Sequence, residues 1–148
     1  MDVRSAILQR INDRFMRFRA AFERFNDESA EREMVGPAWN VRDLAGHLTH
    51  WTAEAAVRIP ELAASKPGIT YDFDKVNTEV YRKNRRMSFV MLVPQLRAAE
   101  DRLLAALKTV PESHFIGETP VREWIDEGVI GHYDHHWPGL KSAADRID

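Results

Sequence analysis

The chain has 148 residues, no cysteine and a formal net charge of −2 at pH 7, which fits one soluble domain with a single core. Without cysteine, disulfides, thiolate nucleophiles and cysteine-ligated zinc are excluded, so any bound metal must have nitrogen or oxygen ligands. The small net charge gives no electrostatic reason to expect nucleic acid or a membrane surface as a partner. The sequence has no apolar run of the ~20 residues that a membrane span needs and no signal-peptide pattern, so the expected location is the cytoplasm.

The first predicted element is a helix from about residue 2 to residue 26. Its apolar residues recur at steps of three and four along one face, as in a helix with one side in a core: Val3, Ile7, Ile11, Phe15, Phe18, Phe22 and Phe25. We interpret this aromatic stripe as core. The next segment, ESAEREMVGPAWN, is predicted to be a loop because Gly36-Pro37 is a strong helix breaker.

A complete helix-start signal predicts a second helix at Asn40. Asn40 is a suitable N-cap, and Asp43 three residues later is its capping-box partner. Because proline removes a backbone donor, this helix is expected to stop before Pro60. Residues 60–73, PELAASKPGITYDF, are then predicted to form a loop.

The middle of the chain contains two further helical patterns. One begins near Asp74 and breaks at Arg85-Arg86-Met87, after which Ser88 can serve as a new N-cap. The second runs from Phe89 to about Val110, with a kink or a start near Pro94.

A last helix is predicted from about Pro120, and Pro138-Gly139 is expected to end or bend it. No segment alternates polar and apolar residues for long enough to indicate a strand. The sequence therefore predicts one all-α domain over residues 1–148, a four-helix bundle with short extra helices.

The stretch GHYDHHW places three of the six histidines within five positions. His132 and His136 are four residues apart, so both rings leave the same helix face one turn apart. His135 and Asp134 point elsewhere at helical spacing, and we interpret His135 as a bystander. The residues that precede the pair on its stripe place that stripe against the core: Trp124, Ile125, Gly128 and Val129.

The second helix offers a third nitrogen ligand. His47 lies on the buried stripe with Leu44 and Trp51, whereas His50 lies about 60° further round the helix. Three neutral imidazoles from two helices would leave a coordination position open, as in catalytic zinc sites. The alternative is that these rings are ordinary buried residues, since one i,i+4 pair among six histidines is not rare.

Three stretches resemble the DinB-like metal-binding four-helix-bundle superfamily. WNVRDLAGHLTHW, residues 39–51, is similar to its second-helix motif, W-x-V-x-D followed by His-Leu, and HYDHH, residues 132–136, resembles its C-terminal H-x-x-x-H. The stretch VNTEVYRKNRRMSFVMLVPQLRAAEDRLLAAL is similar to the middle helices of some members. The resemblance implies a bundle that holds a divalent metal, commonly zinc or nickel, with His47, His132 and His136 as ligands.

The resemblance also implies a choice of activities. Some members are thiol-dependent transferases or isomerases that use bacillithiol or mycothiol, and others resemble amide or cyclopropane hydrolases. The expected function is therefore a metal-dependent transferase, with an external low-molecular-weight thiol, or a hydrolase, acting on a small electrophilic substrate. At HHWPGL the chain departs from members that carry Arg or Gln after the second histidine, so no single activity is carried over.

Asn77 and Tyr81 are candidates to line a substrate pocket, since they share one helix face with Asn84. That face could equally be solvated, the interpretation we favour for Asn84. Glu54 has only weak geometric support as a base, and no general acid or base is assigned. The alternative functions are a non-catalytic bundle that sequesters a small molecule and a stress-associated bundle protein. Bundles of this size often form homodimers, yet the sequence identifies no apolar helix face for one.

Overall fold

The computed structural model describes residues 1–147, which form a helical bundle. Its α-helices are α1 (Val3–Phe22), α2 (Asp27–Arg32), α3 (Val41–Ala63), α4 (Phe73–Asn84), α5 (Phe89–Thr109), α6 (Pro120–Glu123) and α7 (Gly131–Asp145). A 3₁₀ turn covers Glu112–Phe115, and a π-helical segment, Trp124–Ile130, joins α6 to α7 without interruption. The predicted all-α class with short extra helices is confirmed. Within the described range, no helix combines the length and apolarity of a membrane span.

The core lies between α1, α3, α5 and the continuous rod formed by α6, the π-helical segment and α7. The predicted stripe is buried from Ile7 to Phe22, and Phe25 beyond the end of α1 is buried as well, whereas Val3 is 38% exposed. α3 packs more closely on α5 than on any other helix. α5 agrees with the predicted range, although the Ser88 side chain makes no capping hydrogen bond.

The segment after α1 contains a helix where the sequence predicted a loop. α2 begins at Asn26, whose side chain accepts a hydrogen bond from the Ser29 amide at 2.9 Å. The Ser29 hydroxyl accepts in turn from the Asn26 amide at 3.0 Å, which completes a capping box. Ala30 is fully buried on this helix. The loop prediction is wrong here because the breaker Gly36-Pro37 lies beyond the helix and affects only the residues close to it.

Two helices continue through prolines: one was expected to stop before Pro60, and the other to end or bend at Pro138-Gly139. α3 begins at Asn40 with the predicted capping box to Asp43, but runs past Pro60 to Ala63. The last helix runs past Pro138 to Asp145. The hydrogen bond that each proline removes is offset by core contacts of the side chains beyond it: Leu62 and Ala63 on α3, and Leu140, Ala143 and Ala144 on α7.

The helix α4 is held against α3 by a close contact between Gly46 and Asn84. Asn84 is only 7% exposed, so the solvated position favoured for it from sequence is wrong. Gly46 lacks a side chain, and a Cβ there would overlap the Asn84 amide. The space left by the missing side chain therefore lets the C-terminal end of α4 approach α3, and Asn77 of α4 bonds to Trp51 of α3.

Candidate metal centre

Three histidine rings converge where α3 faces α7. The Nε2 atom of His132 lies 2.7 Å from Nε2 of His47 and 3.2 Å from Nε2 of His136. The ring centroids of the three pairs are 4.8 to 5.0 Å apart. The structure thus brings together the three histidines singled out in the sequence, with one nitrogen of each within 4.8 Å of the others. We call this group the histidine cluster.

The donor chemistry of the histidine cluster fits a divalent cation. Each neutral imidazole carries one N–H and one lone pair, so His132 Nε2 cannot donate to both neighbours at once. The Nδ1 atom of His47 is buried and has no hydrogen-bond partner in the described part of the chain. Two nitrogens bound to one tetrahedral zinc ion are roughly 3.3 Å apart, close to the spacing found here. A single cation between the rings would therefore bind one lone pair from each of the three imidazoles.

The electrostatics of the cluster keep its rings neutral. Burial, together with the neighbouring histidines, lowers the pKa of His47 to about 2 and that of His136 to about 3. Burial likewise lowers the pKa of His132 to about 4, with a smaller contribution from His135. All three lone pairs are therefore free for a metal near pH 7, without competition from protons.

One side of the cluster is covered by Trp39. Its ring centroid lies 4.4 Å from that of His47 and 6.0 Å from that of His136, with which it is stacked. Trp39 does not line the cavity of about 510 Å³ beside the cluster, whereas His47 and His132 both belong to its wall. The cluster is therefore accessible to a ligand from the cavity side.

The walls of the cavity contain four aromatic side chains. The lining residues come from α3, residues 64–72, α4, α6, the π-helical segment and α7, and the aromatic ones are Trp51, Tyr71, Phe73 and Trp124. Charged groups lie among them, but Arg58 is already paired with Glu54 and Glu61 at 3.2 and 2.9 Å. Glu123 and Glu127 also line the cavity. The cavity thus combines a mainly apolar surface with several charged and polar groups.

Asn77 presents an unused donor to this cavity. Trp51 Nε1 donates to Asn77 Oδ1 at 2.8 Å, and because indole nitrogen can only donate, the bonded atom must be the oxygen. The Asn77 amide nitrogen makes no hydrogen bond within residues 1–147, and the residue lines the cavity. Tyr81 does not line it, and its ring lies 5.4 Å from the guanidinium of Arg85. The two candidate pocket residues therefore separate in the structure.

The other polar residues weighed from sequence lie outside the cluster. The ring of His135 is exposed beside His136, and His50 packs on Trp51. Asp134 points away from the cluster, as its helical position predicts, and pairs with Arg14 at 3.0 Å.

Sequence reasoning missed a second buried polar group, which we call the Tyr133 network. Its members lie on four helices: Arg19, Thr52, Glu100 and Tyr133. Glu100 is fully buried, and burial raises its pKa to about 7 although Arg19 and Tyr133 donate hydrogen bonds to it. The signal in the sequence is a glutamate on an apolar stripe, between Leu96 and Leu103.

Comparison with known proteins identifies the family. A family model for the DinB superfamily matches residues 10–137 of the chain. Neither the curated proteins nor the solved structures gave a match. The matched range covers most of the chain and includes the whole histidine cluster, so the chain belongs to the DinB superfamily.

Proposed function

We propose that this chain is a divalent-metal-dependent enzyme that acts on a small electrophilic substrate, with His47, His132 and His136 holding zinc or nickel. One observation carries the proposal: His47 and His132 belong both to the histidine cluster and to the wall of the cavity. A ligand in the cavity would therefore lie beside the open side of the ion. The reaction class is thiol transfer or hydrolysis.

The chemistry at the site divides between the ion and the chain. A divalent ion held by three imidazoles lowers the pKa of a bound water to around 7, or activates a bound thiol in the same way. The chain supplies three neutral rings, and Trp39 packs against those of His47 and His136. Because the sequence has no cysteine, the thiol in a transfer reaction would be an external low-molecular-weight thiol.

The cavity supports a substrate with an apolar body and one acceptor oxygen. Trp51, Phe73 and Trp124 provide the surface for the body. The Asn77 amide, turned by its bond to Trp51, can donate to the oxygen. Replacing Asn77 by Ala is expected to raise KM five- to tenfold, about the effect of one lost hydrogen bond. Glu79→Ala, on the exposed side of α4, is the matched control.

Metal binding is the first test. Zinc titrated calorimetrically into untagged, metal-free protein is expected to bind tightly at one ion per chain. His47→Ala removes one of three ligands and should weaken binding by about 100-fold or more, beyond the effect of losing an outer-shell contact. His50→Ala, on the same helix but outside the cluster, should bind like wild type. If the wild-type protein takes up no zinc, the proposal is wrong.

Catalysis is the second test. The zinc- and nickel-loaded proteins are incubated with monochlorobimane and a panel of small thiols, and in parallel with amide substrates without thiol. Thiol-dependent consumption that is lost in His47→Ala supports the transferase, and metal-dependent amide cleavage supports the hydrolase. Tight metal binding without turnover in either assay contradicts the enzyme and favours the non-catalytic binding protein.

A further inference from the structure

The Tyr133 network crosses the core between four helices. Thr52 on α3 and Tyr133 on α7 have hydroxyl oxygens 2.8 Å apart, and Tyr133 donates to Glu100 on α5 at 3.0 Å. Arg19 on α1 donates to the other oxygen of Glu100, also at 3.0 Å. Thr52, Tyr133 and Glu100 are at most 3% exposed, so their partners must come from the protein.

With Glu100 ionised, counting donors gives the network one arrangement; a protonated Glu100 can instead donate to Tyr133, which then donates to Thr52, so the bonded partners stay the same. An ionised carboxylate only accepts, so the single O–H of Tyr133 goes to Glu100 and the Thr52 hydroxyl must donate to the Tyr133 oxygen. Each hydroxyl hydrogen then has an acceptor, and both oxygens of Glu100 are bonded. Hydrogen bonds require a narrow range of distance and angle. The Tyr133 hydroxyl is therefore held at one point between α3 and α5.

The network lies next to the histidine cluster along the same two helices. Thr52 comes five residues after His47 on α3, and Tyr133 directly succeeds His132 on α7. The Tyr133 ring packs on Phe18, with centroids 4.8 Å apart. Because one residue turns an α-helix by about 100°, fixing the direction of Tyr133 also fixes the directions in which His132 and His136 leave α7.

The rotation of α7 about its own axis is not set by α6, because a π-helical segment lies between the two helices. α7 continues directly from the π-helical segment Trp124–Ile130, where backbone hydrogen bonds span one residue more than in an α-helix. The regular angular step from α6 is therefore lost before His132 is reached. Apolar packing alone tolerates small rotations, whereas a bonded hydroxyl does not.

We propose that Tyr133 is a positioning residue of the metal centre: held by Thr52 and Glu100, it sets the rotation of α7 at which His132 and His136 meet His47. That this position serves metal binding rests on the proposed metal-dependent function. Tyr133 should set the positions of the histidine rings in the metal-free protein as well. Tyr133 acts through the backbone of α7 and is not a ligand.

Two variants test the proposal by removing one hydrogen bond from either side. Tyr133→Phe deletes only the hydroxyl, and Thr52→Val replaces the other hydroxyl at nearly constant volume. Leu107→Ala, near the C-terminal end of α5, is the control for loss of stability without change to the network. The readouts are zinc affinity by chelator competition and the visible absorption of the cobalt(II)-loaded proteins. Tyr133→Phe and Thr52→Val are expected to lower zinc affinity about tenfold and to alter the cobalt spectrum, whereas Leu107→Ala should do neither.

A third readout separates this proposal from the proposed function. In metal-free protein, nitrogen-15 NMR of the imidazoles reports the contact between His47 and His132, and both network variants should shift these signals. If the wild type binds no metal but the signals still shift, the proposed function fails and the positioning role stands. The positioning role is overturned if both variants keep the zinc affinity, the cobalt spectrum and the imidazole signals of the wild type. It is also overturned if Leu107→Ala changes these three readouts as much as the network variants do.

Discussion

The histidine cluster and the Tyr133 network are two buried polar groups on the same helices, yet they differ in how their hydrogen bonds are satisfied. In the network, Arg19 and Tyr133 bond both oxygens of Glu100, and Thr52 completes the chain. In the cluster, three nitrogens converge on one another and His47 Nδ1 is buried without a partner in the part of the chain that the structure describes.

This difference separates structure from function in the bundle. A buried polar group that is fully bonded from within the protein stabilises one arrangement of the helices. A buried nitrogen without a partner, such as His47 Nδ1, costs stability, and three imidazoles that converge on one point can bind a cation. The network therefore has the character of a structural element, and the cluster that of a ligand site. Four measurements, in order of decreasing expected effect, test this distinction.

The largest effect is expected from Glu100→Ala. It removes the acceptor of the Arg19 Nε–H and of the buried Tyr133 O–H and should lower the free energy of unfolding by about 3 kcal/mol, as when one partner of a buried ion pair is removed. Urea denaturation measures it. Asp101→Ala, which removes the exposed partner of Arg19, should change little. If the two variants lose the same stability, the network is not the structural element described here.

Zinc is expected to distinguish the wild type from His47→Leu. Without metal, His47→Leu should unfold at the same or a higher free energy, since it removes a buried unpartnered nitrogen. At free zinc 100 times the wild-type dissociation constant, the wild type should gain about 2.7 kcal/mol, whereas the variant, with binding about 100-fold weaker or more, should gain at most about 0.4 kcal/mol. A metal-free His47→Leu protein as unstable as Glu100→Ala would show that the cluster is also structural.

The two regions should respond to pH with opposite signs. The cluster histidines have folded pKa values of about 2 to 4, below the ordinary 6.5, so their stabilising contribution is present above pH 6.5 and lost as pH falls. Glu100, with a pKa raised to about 7, contributes stability below about pH 4.5 that is lost as pH rises through 7. Three groups outweigh one, so metal-free protein should lose about 2 kcal/mol per pH unit on acidification near pH 6.

Urea titrations in chelator at several pH values measure this dependence. Glu100→Gln should make the loss of stability on acidification steeper, because the opposing group no longer titrates. His47→Leu should make it shallower. A wild-type stability that does not change between pH 7 and pH 5 would contradict the buried, neutral state of the cluster.

The smallest effect is expected from Gly128→Ala, which alters the cavity and not the ligands. A Cβ at Gly128 would lie 2.5 Å from the Trp124 ring, so the ring must move within the cavity wall. Because alanine favours helix over glycine by up to about 1 kcal/mol, stability should change little and zinc affinity not at all. Substrate KM should change, whereas Gly36→Ala, where a Cβ meets open space, should leave KM unaltered.

Local signals in the sequence predicted much of the fold and the members of the cluster. The apolar period of α1, the capping box at Asn40 and the four-residue spacing of His132 and His136 each depend on neighbours along the chain. Those features appear in the structure as expected. His47 was chosen from its place on a buried stripe, which also depends only on helical geometry.

Features that depend on distant contacts were missed. The helices continue through Pro60 and Pro138 because side chains beyond them reach the core. Asn84 is buried because Gly46, on another helix, leaves room for it. The π-helical segment and the pairing of Thr52 with Tyr133 likewise have no local signature.

The all-helical fold and the inward-facing histidines could be predicted from the sequence, because periodicity and capping act over a few residues. That these rings meet within hydrogen-bonding distance, beside a cavity with aromatic side chains, is a property of the tertiary structure. That outcome depends on the rotation of α7 against α3, which buried hydrogen bonds between residues far apart in the chain determine.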